Sequence, residues 1–143
     1  MRDWPGKKVI ILGAARQGVA LARYLAHRGA QVVLNDSRAC EALGDAHQAL
    51  ADLPQIEWVC GGHPLALLEG ADLVCPSGGV PLDLPLVVEA RMRGIPLAND
   101  SQLFLEAAPC KVIGITGSAG KTTTTTLVGR IAQSAETGGA VWV

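Results

Sequence analysis

The stretch Thr116–Thr123, TGSAGKTT, gathers two glycines, a lysine and a run of hydroxyls into one short turn. Those residue types at that spacing suit a nucleoside triphosphate. Backbone N–H groups of a glycine turn surround phosphate oxygens, a lysine neutralises the β/γ oxygens, and a hydroxyl ligates magnesium. Lys121 is therefore the candidate catalytic group. Gly117, Ser118, Ala119, Gly120, Lys121, Thr122 and Thr123 are the candidate ATP-binding residues, with Thr122 on Mg2+. Ile115 stands where the pattern GxxxxGK[ST] has its first glycine, so the motif is the shorter TGxxGKT. The bland alternative is a strand–turn–helix with a surface lysine. The ordered succession of strand, turn, lysine, hydroxyl and helix weighs against it.

A second glycine turn, GAARQG at Gly13–Gly18, resembles the dinucleotide fingerprint GxGxxG with Ala15 at the middle glycine. That glycine lets a backbone approach a pyrophosphate, so its methyl group weakens the case for NAD. The helix start after it still offers N–H groups and a positive dipole end to an anion. Asp36, in NDSR, falls at the end of the next strand, where a carboxylate can accept hydrogen bonds from a ribose or a base N–H. Arg38 is placed to meet a phosphate or water. A third turn, PSGGVP at 76–81, follows the fourth strand. The alternative reading is that such glycines only make tight turns. Three loops on one sheet edge with Asp36 among them favour a nucleotide-like ligand.

Apolar runs of strand length alternate with segments of helical period. KVIILG (8–13), AQVVLND (30–36), IEWVC (56–60), ADLVCP (71–76) and IPLAN (95–99) read as strands. Leu21 and Leu25 share a helical face closed by Gly29; Leu43, Ala46, Leu50 and Leu53 recur at helical spacing. LPLVVEARMRG is a helix with Pro85 near its start and Gly94 beyond its end. Asn99 or Asp100 is placed to cap SQLFLEAA. With no tight hairpin signal, the order predicts a parallel sheet wrapped by helices. The fold class is α/β: a Rossmann-like doubly wound parallel sheet of about five strands over residues 1–110. The first strand–P-loop–helix of a truncated ATPase domain follows over 111–143.

Composition narrows the partners. The chain has 143 residues, 49% hydrophobic and 17% charged, with net charge −1. It fits a compact domain and gives no electrostatic reason to expect nucleic acid or a membrane surface. No segment has the length of a membrane span, and the start MRDWPGKK does not read as a signal peptide. Cys40, Cys60, Cys75 and Cys110 form no CxxC pair, so they read as reduced thiols of a cytoplasmic protein, with neither structural zinc nor disulfides. His63 reads as a turn residue, His27 and His47 as solvated helix residues. Tyr24, Phe104 and the tryptophans, Trp142 included, read as packing.

VIILGAARQGVALARYL, VVLNDSR, the segment from GADLVCPSGG to ANDSQLF, and VIGITGSAGKTTTTTLVGRIA together resemble the ATP-dependent Mur ligases of peptidoglycan synthesis. Within that family the likeness is to the branch that adds D-glutamate to UDP-N-acetylmuramoyl-L-alanine. The resemblance implies that residues 1 to about 110 bind the UDP part of the substrate. Arg16 and Gln17 would meet the nucleotide or its diphosphate, and Asp36, Ser37 and Arg38 the uridine. Ser77 and Gly79 match the family's SPG turn, with Gly78 in place of its proline. Gly117–Thr123 match its ATP loop, with Ala119 where a polar residue is common. The implied reaction uses ATP and Mg2+ to make an acyl phosphate, which the D-glutamate amine attacks. It serves cell wall biogenesis, and with it cell shape and division, in the cytoplasm.

The family continues with further metal ligands and a domain for the amino acid. Glu136 is the last acid of this chain, and GGAVWV resembles a strand start, so a truncated fragment is expected. Such a fragment would bind UDP-substrate without catalysing ligation. Its tail would pack on the first domain, self-associate or stay mobile. Two rivals remain: an NAD-binding oxidoreductase or regulatory nucleotide-binding module on residues 6–108, and a non-catalytic scaffold.

Overall fold

The computed structural model describes residues 3–135. Glu136, Trp142 and the GGAVWV stretch lie outside the described residues. The chain divides into two units, 1–107 and 108–143.

The first unit is built on four parallel strands: β1 (Lys8–Leu12), β2 (Gln31–Asp36), β3 (Glu57–Cys60) and β4 (Leu73–Pro76). Their spatial order is β3-β2-β1-β4. Val9, Ile10, Ile11 and Leu12 of the central strand have no exposed surface. Because successive side chains point to opposite faces, one continuous apolar run serves two cores. Val9 and Ile11 pack with Leu21, Ala22 and Leu25 of α1 (Arg16–His27). Ile10 and Leu12 pack with Leu86, Val87 and Ala90 of α3 (Pro85–Met92). Covering both faces is what makes the sheet doubly wound. Each fully buried aliphatic side chain contributes about 1.5–3 kcal/mol.

Between β2 and β3 lie a 3₁₀ turn at Cys40–Leu43 and the short helix α2 (Gly44–Ala49). A second 3₁₀ turn, Leu65–Leu68, precedes β4. Pro85 occupies the first turn of α3, while Gly29 and Gly94 take the left-handed backbone that ends α1 and α3. Helix α4 (Asp100–Ala107) is capped by Asn99, whose Oδ1 accepts from the Gln102 N–H at 2.8 Å.

Four expectations for the first unit need correction. The fifth strand at 95–99 shrinks to one parallel bridge, Val74 to Leu97. There Val74 N–H donates to the Pro96 carbonyl and Ala98 N–H to the Val74 carbonyl. Pro96 has no N–H to extend that ladder. Second, Cys40 and Cys60 are joined in a disulfide, with Cα atoms 5.4 Å apart. The register sets Asp36 opposite Cys60, and the turn after Asp36 curls Cys40 back over the end of β3. Third, His47 is no solvated ring: it stacks on Trp58, centroids 3.7 Å apart. Fourth, Phe104 is 65% exposed rather than packed.

Asn35 is fully buried at the end of β2. Its amide donates to the carbonyls of Val59 (2.8 Å) and Gly62 (2.7 Å), and its Oδ1 meets His63 Nδ1. These bonds pin the loop after β3 to the middle of the sheet edge.

In the second unit, α5 (Lys121–Ser134) follows the glycine turn. The strand expected at 111–116 is absent, and Val112 and Ile113 are exposed. A strand exists through its ladder, and among the described residues none pairs with this segment.

Candidate functional site

Three loops meet at the carboxyl edge of β2, β1 and β4. The chain runs outward from β1 through β2 to β3, then returns to place β4 on the other flank of β1. That reversal opens a crevice between the ends of β1 and β4, the usual ligand position in open α/β sheets.

The first loop is held by tight geometry. Gly13 adopts φ 96° and donates its N–H to the Asn35 carbonyl at 2.7 Å. A Cβ on Gly18 would fall 1.8 Å from the Gly13 carbonyl oxygen. Only glycine at 18 lets α1 start this close to β1. Ala15 is the N-cap of α1 and gives no side-chain cap bond, so capping leaves the first-turn N–H groups directed at the crevice. Arg16 and Gln17 are exposed there. Gln17 turns toward the third loop, its Oε1 3.6 Å from where a Cβ of Gly78 would be.

Asp36 links the first loop to the second. It is 6% exposed and its carboxylate accepts four hydrogen bonds. The Ala14 N–H donates at 2.8 Å, the Arg38 N–H at 2.9 Å, and the Arg38 guanidinium through Nε at 3.0 Å and Nη2 at 2.9 Å. The guanidinium bonds, helped by the two backbone N–H groups, hold the Asp36 carboxyl far below the usual carboxylate range against the cost of burial. The Arg38 side chain remains half exposed, and Ser37 is exposed beside it. In the third loop, Ser77 Oγ donates to the Gly13 carbonyl at 3.3 Å and Ser77 N–H to the Leu12 carbonyl at 2.9 Å. Gly79 is exposed at the tip.

The structure thus brings Arg16, Gln17, Asp36, Ser37, Arg38, Ser77 and Gly79 to one edge. The Ala14 N–H and Asn35 are further members that the sequence reading missed. Asn35 directly precedes Asp36, and a buried polar residue at a strand end was the available signal. Arg16 and Gln17 also line a cleft of about 610 Å3 between α1 and α4, whose wall is mostly apolar and includes Tyr24 and Phe104.

The TGSAGKTT turn belongs to the second unit. Gly117 (φ 152°) and Gly120 (φ 75°) take backbone that side chains rarely adopt. Gly120 is the N-cap of α5 and offers no side-chain cap. Lys121 Nζ folds back to donate to the Gly117 carbonyl, so its charge already sits across the mouth of the turn. An uncapped helix start, a glycine turn and an inward lysine fit a polyphosphate, and Thr122 in the first turn fits its magnesium. The threonine run finds an explanation here: Thr125 and Thr126 hydroxyls donate to the carbonyls of Lys121 and Thr122, at 2.8 and 2.9 Å.

A doubly wound parallel sheet with three loops converging on its switch point is an open α/β domain of the Rossmann-like type. More specifically, the chain belongs to the Mur ligase MurD-like N-terminal domain family, which matches residues 7–99. It is 42% identical over 131 residues to the UDP-N-acetylmuramoylalanine–D-glutamate ligase of Syntrophotalea carbinolica, covering 92% of this chain and 29% of that protein. With the enzyme of the same name from Shouchella clausii it shares 44% over 136 residues, covering 90% of this chain and 28% of that one. Among solved structures, the pseudomurein peptide ligase type C of Methanothermus fervidus is similar at TM-score 0.57 and 26% identity, covering 92% of this chain and 27% of that one. The chain spans about three tenths of the length of these curated relatives.

Proposed function

We propose that this chain is the UDP-substrate-binding part and the beginning of the ATP-binding part of a cytoplasmic ligase. That ligase joins D-glutamate to UDP-N-acetylmuramoyl-L-alanine at the expense of ATP. The observation that carries the reading is the Asp36 cluster at the switch point of a MurD-like domain that continues into TGxxGKT.

In this reading residues 1–110 hold the UDP moiety. Asp36, kept ionised by Arg38 and the Ala14 N–H, shapes the turn that receives the uridine, and Ser37 borders the same pocket. Arg38 has solvent-facing surface left for an anionic neighbour. Arg16, Gln17 and the N–H groups at the start of α1 face the diphosphate, and Ser77 and Gly79 close the opposite wall. In the second unit, Lys121 and the backbone N–H groups of Gly117–Thr123 hold ATP. They stabilise charge on the phosphoryl group as it passes to the substrate carboxylate. Magnesium, held by Thr122 when bound, would neutralise phosphate oxygens. The D-glutamate amine then attacks the acyl carbon, forming the amide bond as the carbon–oxygen bond to phosphate breaks and inorganic phosphate leaves. The NAD reading is less favoured, because family membership and Ala15 both point away from it.

Calorimetric titration with UDP, UDP-N-acetylmuramoyl-L-alanine and NADH tests the assignment. UDP and the UDP-sugar should bind and NADH should not. Asp36→Ala should weaken UDP binding by about 1–3 kcal/mol, because the Ala14 N–H and the Arg38 turn that shape the uridine pocket lose their buried partner. Lys121→Ala should leave UDP binding unchanged. Equal losses in both variants would show that the two sites are divided wrongly, and NADH binding without UDP binding would overturn the reading.

A further inference from the structure

Beside the Asp36–Arg38 turn, three metal-ligating side chains converge from three separate elements. Cys40 opens the 3₁₀ turn after β2, His47 lies on α2, and Cys60 ends β3. Their ligand atoms all lie within 4.8 Å of one another. The Cα atoms of the two cysteines, 20 residues apart in sequence, stand 5.4 Å apart. His47 is held in place by its stack on Trp58, centroids 3.7 Å apart and planes 25° apart. Trp58 and Cys60 lie two residues apart on β3 and so point to the same face. The packing that fixes the imidazole therefore also brings it to the sulfur pair. Cys40 is exposed, and His47 and Cys60 are half-buried, so an ion can enter.

We propose that Cys40, His47 and Cys60 form a binding site for a thiophilic divalent cation of the zinc type. The disulfide is the oxidised, metal-free state of this site. Two thiolates and an imidazole are the donor set that zinc favours, with the fourth tetrahedral position left to water or another ligand. The states interconvert with balanced chemistry. Two equivalents of a small thiol reductant deliver two electrons and two protons to the disulfide, giving two thiols and one oxidised reductant. The cation then displaces both thiol protons to solvent and forms two metal–sulfur bonds. A reducing compartment keeps such a pair as thiols, which is the metal-binding form. The absence of a CxxC spacing hid this set, since its members meet only through the β2–β3 register. The site is independent of the UDP reading. It borders the nucleotide turn, however, because the Gly61 N–H donates to the Arg38 carbonyl at 2.9 Å. In either state it fastens that turn to β3.

The test uses the chain reduced with a phosphine and desalted under inert gas, beside the same chain left oxidised. Each is titrated with zinc chloride against a chromophoric chelator, and with cobalt chloride as a spectroscopic probe. The reduced chain should bind one equivalent of either metal. The cobalt form should show thiolate-to-metal charge transfer and the intense visible bands of tetrahedral coordination. The oxidised chain should bind none. Cys40→Ser and Cys60→Ser should abolish the charge-transfer bands, and Cys110→Ser should leave them unchanged. His47→Ala should weaken zinc by at least the roughly tenfold that loss of even an outer-shell partner causes. Failure of the reduced wild-type chain to bind either metal overturns the proposal without reference to any variant. So does a cobalt spectrum without thiolate bands, one that survives loss of Cys40 or Cys60, or wild-type zinc affinity in His47→Ala.

Discussion

Two segments of this chain follow the same local recipe, an apolar run, a glycine turn and a helix, with different results. KVIIL at 8–12 becomes β1, fully buried from Val9 to Leu12 and paired on both sides. The run VIGIT at 112–116 forms no strand, and Ile113 is 69% exposed. Their helices differ in the same way. α1 buries Leu21, Ala22 and Leu25, whereas α5 buries only Gly129 among its described residues and leaves Leu127 and Ile131 exposed. Strand character therefore resides in the neighbours that supply a ladder and a second apolar face, and only secondarily in the apolar residues themselves.

The sharpest way to break this contrast is at the first turn. Gly18→Ala drives a methyl into the Gly13 carbonyl oxygen, at 1.8 Å before relaxation, and neither backbone can yield without parting α1 from β1. We expect a loss of about 3 kcal/mol, read from urea unfolding. A loss below 1 kcal/mol, on the order of an ordinary surface substitution, would mean the turn is far looser than its counterpart contacts indicate.

A smaller effect is expected from acid. Asp36 is held below its ordinary range by Arg38 and two backbone N–H groups, so its folded pKa lies below its unfolded value of about 3.9. Its contribution is therefore fully present above about pH 4 and is lost as pH falls below that toward the folded value. Asp36→Asn should flatten the acid limb of a stability-against-pH curve below about pH 4. An unchanged limb would show that the cluster adds nothing to the first unit.

The smallest effect belongs to the second segment. Ile113→Ala should change unfolding free energy by less than about 0.5 kcal/mol, as for other exposed positions. Hydrogen exchange sharpens the point: amides of Ile10 and Ile11 should exchange last and those of 112–116 among the first. Comparable protection in both segments would erase the distinction between them.

Much of the first unit was legible because its rules are local. The alternation of apolar runs and helical periods announced a parallel sheet, Pro85 and Gly94 marked the ends of α3, and Asp36 stood at the end of its strand. What escaped depends on pairing. The fate of 95–99 turned on Pro96 in the ladder, and that of 111–116 on the lack of a neighbour among the described residues. The Cys40–Cys60 contact and the His47 stack required knowing that β3 lies beside β2, and in which register. Within the candidate site, the charged residues declared themselves by type. The Ala14 N–H did not, because any residue carries one.

Asn35 gives the sheet a means of rejecting its own errors. β3 is only half-buried, so its side chains discriminate weakly between the correct pairing with β2 and one shifted along the strand. In the observed alignment the carboxamide of Asn35 finds the carbonyls of Val59 and Gly62 and the ring of His63. In a shifted alignment the same carboxamide would be sealed in the sheet without those partners, at a cost of about 1–3 kcal/mol. The correct bond adds less than the wrong one forfeits. A single polar group thus favours the observed register over its shifted alternatives at the edge that carries Asp36.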